Sequence, residues 1–197
     1  MHQYFVVHKP FQVLSQFSPE GDKKTLNDVF DVPSNVYPVG RLDYDSEGLL
    51  IITDDKKIHT LLLNPNQGHE REYWVQVENN ITNEAIKKLE AGVTISDKGT
   101  TYLTAKCKAG IFSSPPDVAE RFPPIRERKN IPDSWLKLIL TEGKNRQVRK
   151  MTAAVGFPTL RLIRYRIEKL TIDKLEPGEM IILTQTELYN LLRLSKK

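Results

Sequence analysis

Apolar and polar positions along this chain recur with two periods, and their succession places strands and helices over most of its length. Tyr4 to Val7 and Val13 to Phe17 read as strands. They are interrupted at Lys9-Pro10, where proline removes a backbone donor and biases its predecessor toward extended geometry. Leu49 to Ile52 is a compact apolar run of strand length, after which Thr53 and Asp54 are suited to cap a helix through about Leu63, stopped at Asn64-Pro65. Residues 70 to 78 alternate, with Tyr73, Val75 and Val77 on one face, so that Tyr73 points inward or into a cleft. Thr82 precedes a helical pattern with Ile86 and Leu89 on one side, and Gly92 stands where a C-terminal cap belongs. Residues 93 to 96 and 101 to 108 predict a hairpin. Pro115, Pro116, Pro123, Pro124 and Pro132 then thin out regular structure, which predicts a long loop over 109 to 132. Trp135 to Leu140 resumes as a strand, and Asn145 is placed to cap a helix ending at Gly156. In that helix Val148, Met151 and Val155 form one stripe, leaving Arg146 and Lys150 on the far side and Arg149 flanking. Thr159 to Ile163 and Ile181 to Leu183 complete the strands, and a last amphipathic helix runs from about Thr186 to Leu194. Strands and helices interleaved without a regular βαβ rhythm predict an α+β fold with a mixed, largely antiparallel sheet.

At 197 residues and 39% apolar content the chain is long enough to bury one substantial core. Its first apolar run is too short for a signal segment, and no later run could span a bilayer, which predicts a soluble protein of the cytoplasm. Cys107 is the single cysteine, without a partner for an internal disulfide or a Cys or His neighbour at zinc spacing; it reads as a small buried residue in a strand. The net charge of +4 conceals an uneven distribution. From Arg121 to Leu170 thirteen basic residues stand against four acids, so nucleic acid is the first partner to consider, with a solvated basic face as the alternative. Within the 109 to 132 loop, Arg121, Arg126, Arg128 and Lys129 suit phosphate contacts.

The densest chemistry lies between Tyr37 and Thr53, in Gly40-Arg41-Leu42-Asp43-Tyr44-Asp45-Ser46-Glu47-Gly48. Two glycines bracket three carboxylates. Glycine at 40 and 48 allows backbone conformations other residues resist, which predicts a loop of fixed shape ahead of the apolar strand. Composition alone reads this as an acidic turn. A sharper reading sets Asp43, Asp45 and Glu47 around a divalent metal, as in a nuclease.

Gly40-Arg41-Leu42-Asp43, followed by Ser46-x-Gly48-Leu49-Leu50, resembles the signature loop of the pseudouridine synthases, specifically the group that contains the small-subunit ribosomal enzyme A and the large-subunit enzymes B, E and F. Three further matches occur in order along the chain. Lys9-Pro10 is similar to the family's Lys-Pro strand break, and Arg71-Glu72-Tyr73-x-Val75 to its basic-x-Tyr-x-Val strand. Glu142-Gly143-Lys144-Asn145-Arg146-Gln147-Val148-Arg149-Lys150-Met151, with Leu162-x-Arg164 after it, is similar to its Glu-Gly-x-x-Arg-Gln-Val-Arg-x-Met helix. Only eight residues precede Lys9, so the S4-type RNA-binding domain that often comes first is expected to be absent, leaving residues 1–197 as one catalytic domain.

The resemblance implies a sheet flanked by helices in two lobes with a central cleft, and isomerisation of a uridine in large-subunit ribosomal RNA. Asp43 would be the essential carboxylate, acting either as a nucleophile at ribose C1′ or as a base promoting a glycal. Arg149 would be its cationic partner, holding it ionised. Tyr73 would stack on the everted uracil and offer a hydroxyl for the proton relay, above an apolar floor from Leu162. Arg41 would fill the space left by the base or bind a neighbouring phosphate, and Arg146, Lys150 and Arg164 would be further substrate-binding positions. Asp45 and Glu47 fall to loop structure. No metal, organic cofactor or obligatory protein partner is implied, and a monomer is expected. The rival reading is a non-catalytic ribosomal RNA-binding or assembly factor with the same basic face.

Overall fold

The computed structural model describes residues 2–97, 99–125, 131–173 and 175–194. The chain forms two compact units, one made of Met1–His69 with Arg164–Lys197 and the other of Glu70–Ile163.

The first unit opens with β1 (Tyr4–Lys9), whose residues are all buried, as a continuous run of aromatic and β-branched side chains predicts. β2 (Val13–Leu14) pairs in parallel with β3 (Lys24–Thr25), and a single 3-10 turn, Leu26–Asp28, follows. The predicted strand at 13–17 is thus cut to two residues. β4 (Tyr37–Pro38) lies along β5 (Glu47–Thr53), and β5 pairs antiparallel with β1 from Tyr4↔Thr53 to Lys9↔Gly48. Phe5, Val7, Val13, Leu26, Phe30, Val36, Leu50 and Ile52 form the core of this part. α1 (Lys56–Leu63) buries Ile58 and Leu62. Its N-cap is Asp55, whose carboxylate accepts from the Lys57 amide, and not Thr53 or Asp54. Those two are engaged elsewhere: the Thr53 hydroxyl donates to the Gln3 carbonyl, and Asp54 accepts the Gln3 amide.

In the second unit β6 (Arg71–Glu78) buries Val75 and Val77, as its alternation predicts. α2 (Asn83–Ala91) is capped by Thr82, which accepts from the Ala85 amide, and ends at Gly92. β7 (Thr94–Asp97) and β8 (Thr100–Leu103) make the hairpin. Cys107 lies in the segment after it, not in a strand; its Sγ faces the Leu89 carbonyl at 3.2 Å, and burial pushes the thiol pKa up to about 11. β9 (Lys108–Ile111) corrects the expected loop at its start, because these residues pair with β10 (Asp133–Leu140), which also pairs with β6. The pairing is supplied by β10; Lys108-Ala109-Gly110 has no strand pattern of its own. Residues 112–125 carry no helix or strand, and Arg126, Arg128 and Lys129 lie outside the described residues. α3 (Gln147–Ala154) and the first half of β11 (Thr159–Ile167) complete the unit. Val75, Val77, Leu89, Leu136, Leu138, Val148, Met151 and Leu162 belong to its core.

The chain returns to the first unit with the rest of β11, then β12 (Leu170–Thr171), β13 (Met180–Leu183) and α4 (Gln185–Leu191). β13 pairs antiparallel with β1, so that β1 has a neighbour on each side. α4 starts one residue ahead of the predicted position and is capped by Thr184 and Glu187. The phenolic hydroxyl of its Tyr189 joins that of Tyr4 in donating to Asp55. The fold is α+β with predominantly antiparallel strand pairs, as expected. Among the described residues no helix is long and apolar enough to cross a membrane.

Candidate active site

The loop between β4 and β5 is tied down at nearly every backbone step. The Val39 amide donates to the Ile51 carbonyl at 2.7 Å, extending the β4 pairing. Gly40 follows at φ +72°. Leu42 is then gripped by the buried Ser15: its amide donates to Ser15 Oγ at 3.0 Å, and Ser15 Oγ donates to its carbonyl at 2.8 Å. The Ser46 amide returns to the Asp43 carbonyl at 3.0 Å, closing a turn over 43–46, and the Gln12 amide holds the Tyr44 carbonyl at 2.9 Å. Leu42, Ser46, Glu47 and Gly48 are buried while Asp43 is half-buried and Arg41 exposed. The result is two carboxylates, Asp43 and Asp45, at partly accessible points of a backbone fixed on both sides.

Beneath this loop lies Lys9, fully buried, with Nζ donating to the carbonyls of Pro10 at 2.9 Å and Val13 at 2.7 Å. Burial draws its pKa down to about 7, against the pull of Glu47, Asp45 and Asp43, and Arg164 adds to the lowering. Glu47, expected as a loop residue, is the first residue of β5 and the leading charged neighbour of Lys9. Among the described residues no three Asp, Glu, His or Cys side chains are grouped to hold a metal ion. Arg164 is buried too, and its Nε donates to the Leu49 carbonyl at 2.8 Å. It braces β5 from the adjoining chain. Sequence reasoning marked Lys9-Pro10 only as a strand break; nothing in the local pattern announces a buried ammonium.

Tyr73, Arg149, Arg146, Lys150 and Leu162 belong to the second unit, whereas Asp43, Arg41 and Arg164 belong to the first. Tyr73 is half-buried on β6 opposite Leu138 and packs partly on the core that contains Val75. Leu162 is buried in the same core. α3 starts one residue later than expected: Arg146, not Asn145, is at its N-cap, in the left-handed conformation at φ +50°. The helix buries Gln147, Val148, Met151 and Thr152, leaves Arg149 and Lys150 half-buried, and Arg146 is exposed. The predicted division into a packed stripe and a basic face therefore holds.

The sequence model of the RNA pseudouridylate synthase family matches residues 3–154, a span that contains Asp43, Tyr73, Arg146, Arg149 and Lys150. Ribosomal large subunit pseudouridine synthase E of Xanthomonas axonopodis pv. citri is 45% identical over 174 residues, covering 87% of this chain and 89% of that protein. The protein of the same name from Vibrio parahaemolyticus is 42% identical over 174 residues, 88% of this chain and 71% of its own. Among solved structures, a crystal structure of a pseudouridylate synthase superposes with a TM-score of 0.76 at 27% identity, over 97% of this chain and 74% of that one.

Proposed function

Because the chain belongs to the RNA pseudouridylate synthase family, we propose that it isomerises a uridine of large-subunit ribosomal RNA to pseudouridine with Asp43 as the catalytic carboxylate. The observation that carries the reading is the family match through residues 3–154, together with the fixed loop that leaves Asp43 partly accessible between the buried Leu42 and Ser46. In this reaction the bond from uracil N1 to ribose C1′ breaks, the base turns, C1′ bonds to C5, the C5 proton leaves and N1 takes up a proton. The step is redox-neutral and needs no organic cofactor or metal. Asp43 acts at the sugar, as nucleophile at C1′ or as base toward a glycal, and either role requires the ionised form.

Arg149 is the cation that favours that form and orients it. Tyr73 takes the everted uracil on its ring and passes the C5 proton through its hydroxyl, with Leu162 as the apolar surface below. Arg41, exposed beside Asp43, enters the space left by the base or meets a phosphate, and Arg146 and Lys150 bind the RNA backbone. Arg164, expected to touch substrate, works from inside by fixing the Leu49 carbonyl. The protein acts as a monomer in the cytoplasm.

The test is Asp43→Asn, an isosteric change at a half-buried position. Folding and RNA binding stay near wild type, while tritium release from RNA carrying C5-labelled uridine is lost. Undiminished release would refute the catalytic assignment and favour another carboxylate; RNA binding by a wild-type protein that releases no tritium would favour the assembly-factor reading.

A further inference from the structure

Glu142 has no part in the chemistry above, yet it is the acceptor at the centre of a hydrogen-bond cluster in the second unit. Its Oε1 accepts from the Ala105 amide at 2.9 Å and from Gln147 Nε2 at 2.6 Å, and its Oε2 accepts from the Tyr102 hydroxyl. Gln147 closes a second ring, since its Oε1 accepts the Lys144 amide at 2.9 Å while its own amide donates to the Lys144 carbonyl at 3.2 Å. The Lys144 ammonium stands 4.6 Å from the centroid of the Tyr102 ring. Hydrogen bonding to Glu142 raises the Tyr102 pKa, so the phenol remains a donor over the physiological range.

These contacts bear on the turn that starts α3. Residues 143–146 are outside helix and strand, and Arg146 is held at φ +50°, a conformation that costs about 1–2 kcal/mol for a side-chain-bearing residue unless its surroundings impose it. Glu142 pins the chain before the turn, Gln147 pins it after, and the segment from Tyr102 to Ala105 is the fixed point to which Glu142 is joined directly and Gln147 through Glu142. Bonds to an ionised acceptor are the stronger kind, and Gln147 is only 4% exposed, so water competes little for its amide. Gln147 is also the first residue of α3; Arg149 and Lys150 follow within one turn.

We propose that Glu142 and Gln147 are positioning residues, a clamp that sets the start of α3 and thereby the orientation of Arg149 on that helix. The inference rests on the reading of Arg149 as the partner of Asp43.

The test compares Glu142→Gln, Arg149→Met and their combination on an RNA stem-loop with C5-labelled uridine. A neutral amide at 142 keeps the volume but replaces one acceptor oxygen by a donor. The clamp predicts a kcat lower by roughly 10–100-fold, the scale of a small misplacement, with KM changed by less than about threefold. In the Arg149→Met background the same change costs less than about twofold, because nothing remains to be aimed. Tyr102→Phe removes one donor without touching the carboxylate and shows a smaller fall in kcat with the same non-additivity; it takes the place of Glu142→Gln should that variant not fold. A wild-type kcat in both clamp variants, or losses that multiply in full with Arg149→Met, would overturn the proposal. Arg149→Met at the wild-type rate would instead remove the reading on which it rests.

Discussion

Gly48 should tolerate no side chain, and the size of the effect follows from the geometry around it. Its backbone is at φ +109°, outside the range that L-residues adopt readily, and it pairs with Lys9 across β1 and β5. A Cβ built there stands 2.3 Å from the Arg164 carbonyl oxygen, 2.7 Å from its nitrogen and 2.9 Å from its carbonyl carbon. Reaching an ordinary contact of about 3.5 Å means parting two backbones by roughly 1 Å. No flexible side-chain end is available to yield, and Arg164 is itself buried and bonded to Leu49. Overpacking costs about 1–3 kcal/mol, and the unfavourable φ about 1–2 kcal/mol more. Gly48→Ala therefore loses roughly 2–5 kcal/mol, a large share of the 5–15 kcal/mol typical of a whole domain. At about 2–4 °C per kcal/mol for a chain of this size, thermal unfolding followed by circular dichroism should show a Tm lower by roughly 5–20 °C. Tritium release by the remaining folded protein should fall as well, because the strand that shifts is the one leading out of the Asp43 turn. A Tm within about 2 °C of wild type and full activity would refute the reasoning.

Lys9→Met should change the pH dependence of stability. With the folded pKa near 7 and the unfolded value near 10.4, the unfolded chain holds the extra proton between those limits, so the wild type gains stability as pH rises through that window and loses it as pH falls toward 7. Urea unfolding at pH 7, 8 and 9 should show the wild type gaining on the variant by up to about 1.4 kcal/mol per pH unit; parallel curves would contradict this. Arg149→Met should lower kcat by roughly 10–100-fold in the tritium assay while the protein still binds RNA, and a wild-type rate would end the ion-pair assignment. Excess chelator, with a short stem-loop substrate in monovalent salt, should leave turnover unchanged and the strand uncut; loss of activity would restore the metal reading of Asp43, Asp45 and Glu47.

Much of the architecture was legible because it follows from local pattern. The alternation of Tyr73, Val75 and Val77, the Thr82 cap of α2 and the apolar run of β5 each specify an element without reference to distant residues. What was misread depends on partners far along the chain. β9 is a strand because β10 offers it an edge, and Asp55 rather than Thr53 caps α1 because Gln3, some fifty residues earlier, engages Thr53 and Asp54. The site divides the same way. The positive φ expected at Gly40 and Gly48 is present, and the motif residues Asp43 and Arg149 are partly accessible. The buried ammonium of Lys9, the internal role of Arg164 and the Glu142 cluster had no sequence signal. Lysine and arginine are rarely buried, and the donors of Glu142 include Tyr102 and Ala105, which lie 40 and 37 residues away.

The central claim, that this chain makes pseudouridine in large-subunit ribosomal RNA through Asp43, is tested most directly by mapping pseudouridines in that RNA. The comparison is between cells that lack the protein and the same cells supplied with wild type or with Asp43→Asn. The account predicts that a discrete large-subunit pseudouridine is missing from the deficient cells, returns with the wild type and stays missing with Asp43→Asn. An unchanged pseudouridine map in the deficient cells, or full restoration by Asp43→Asn, would contradict it.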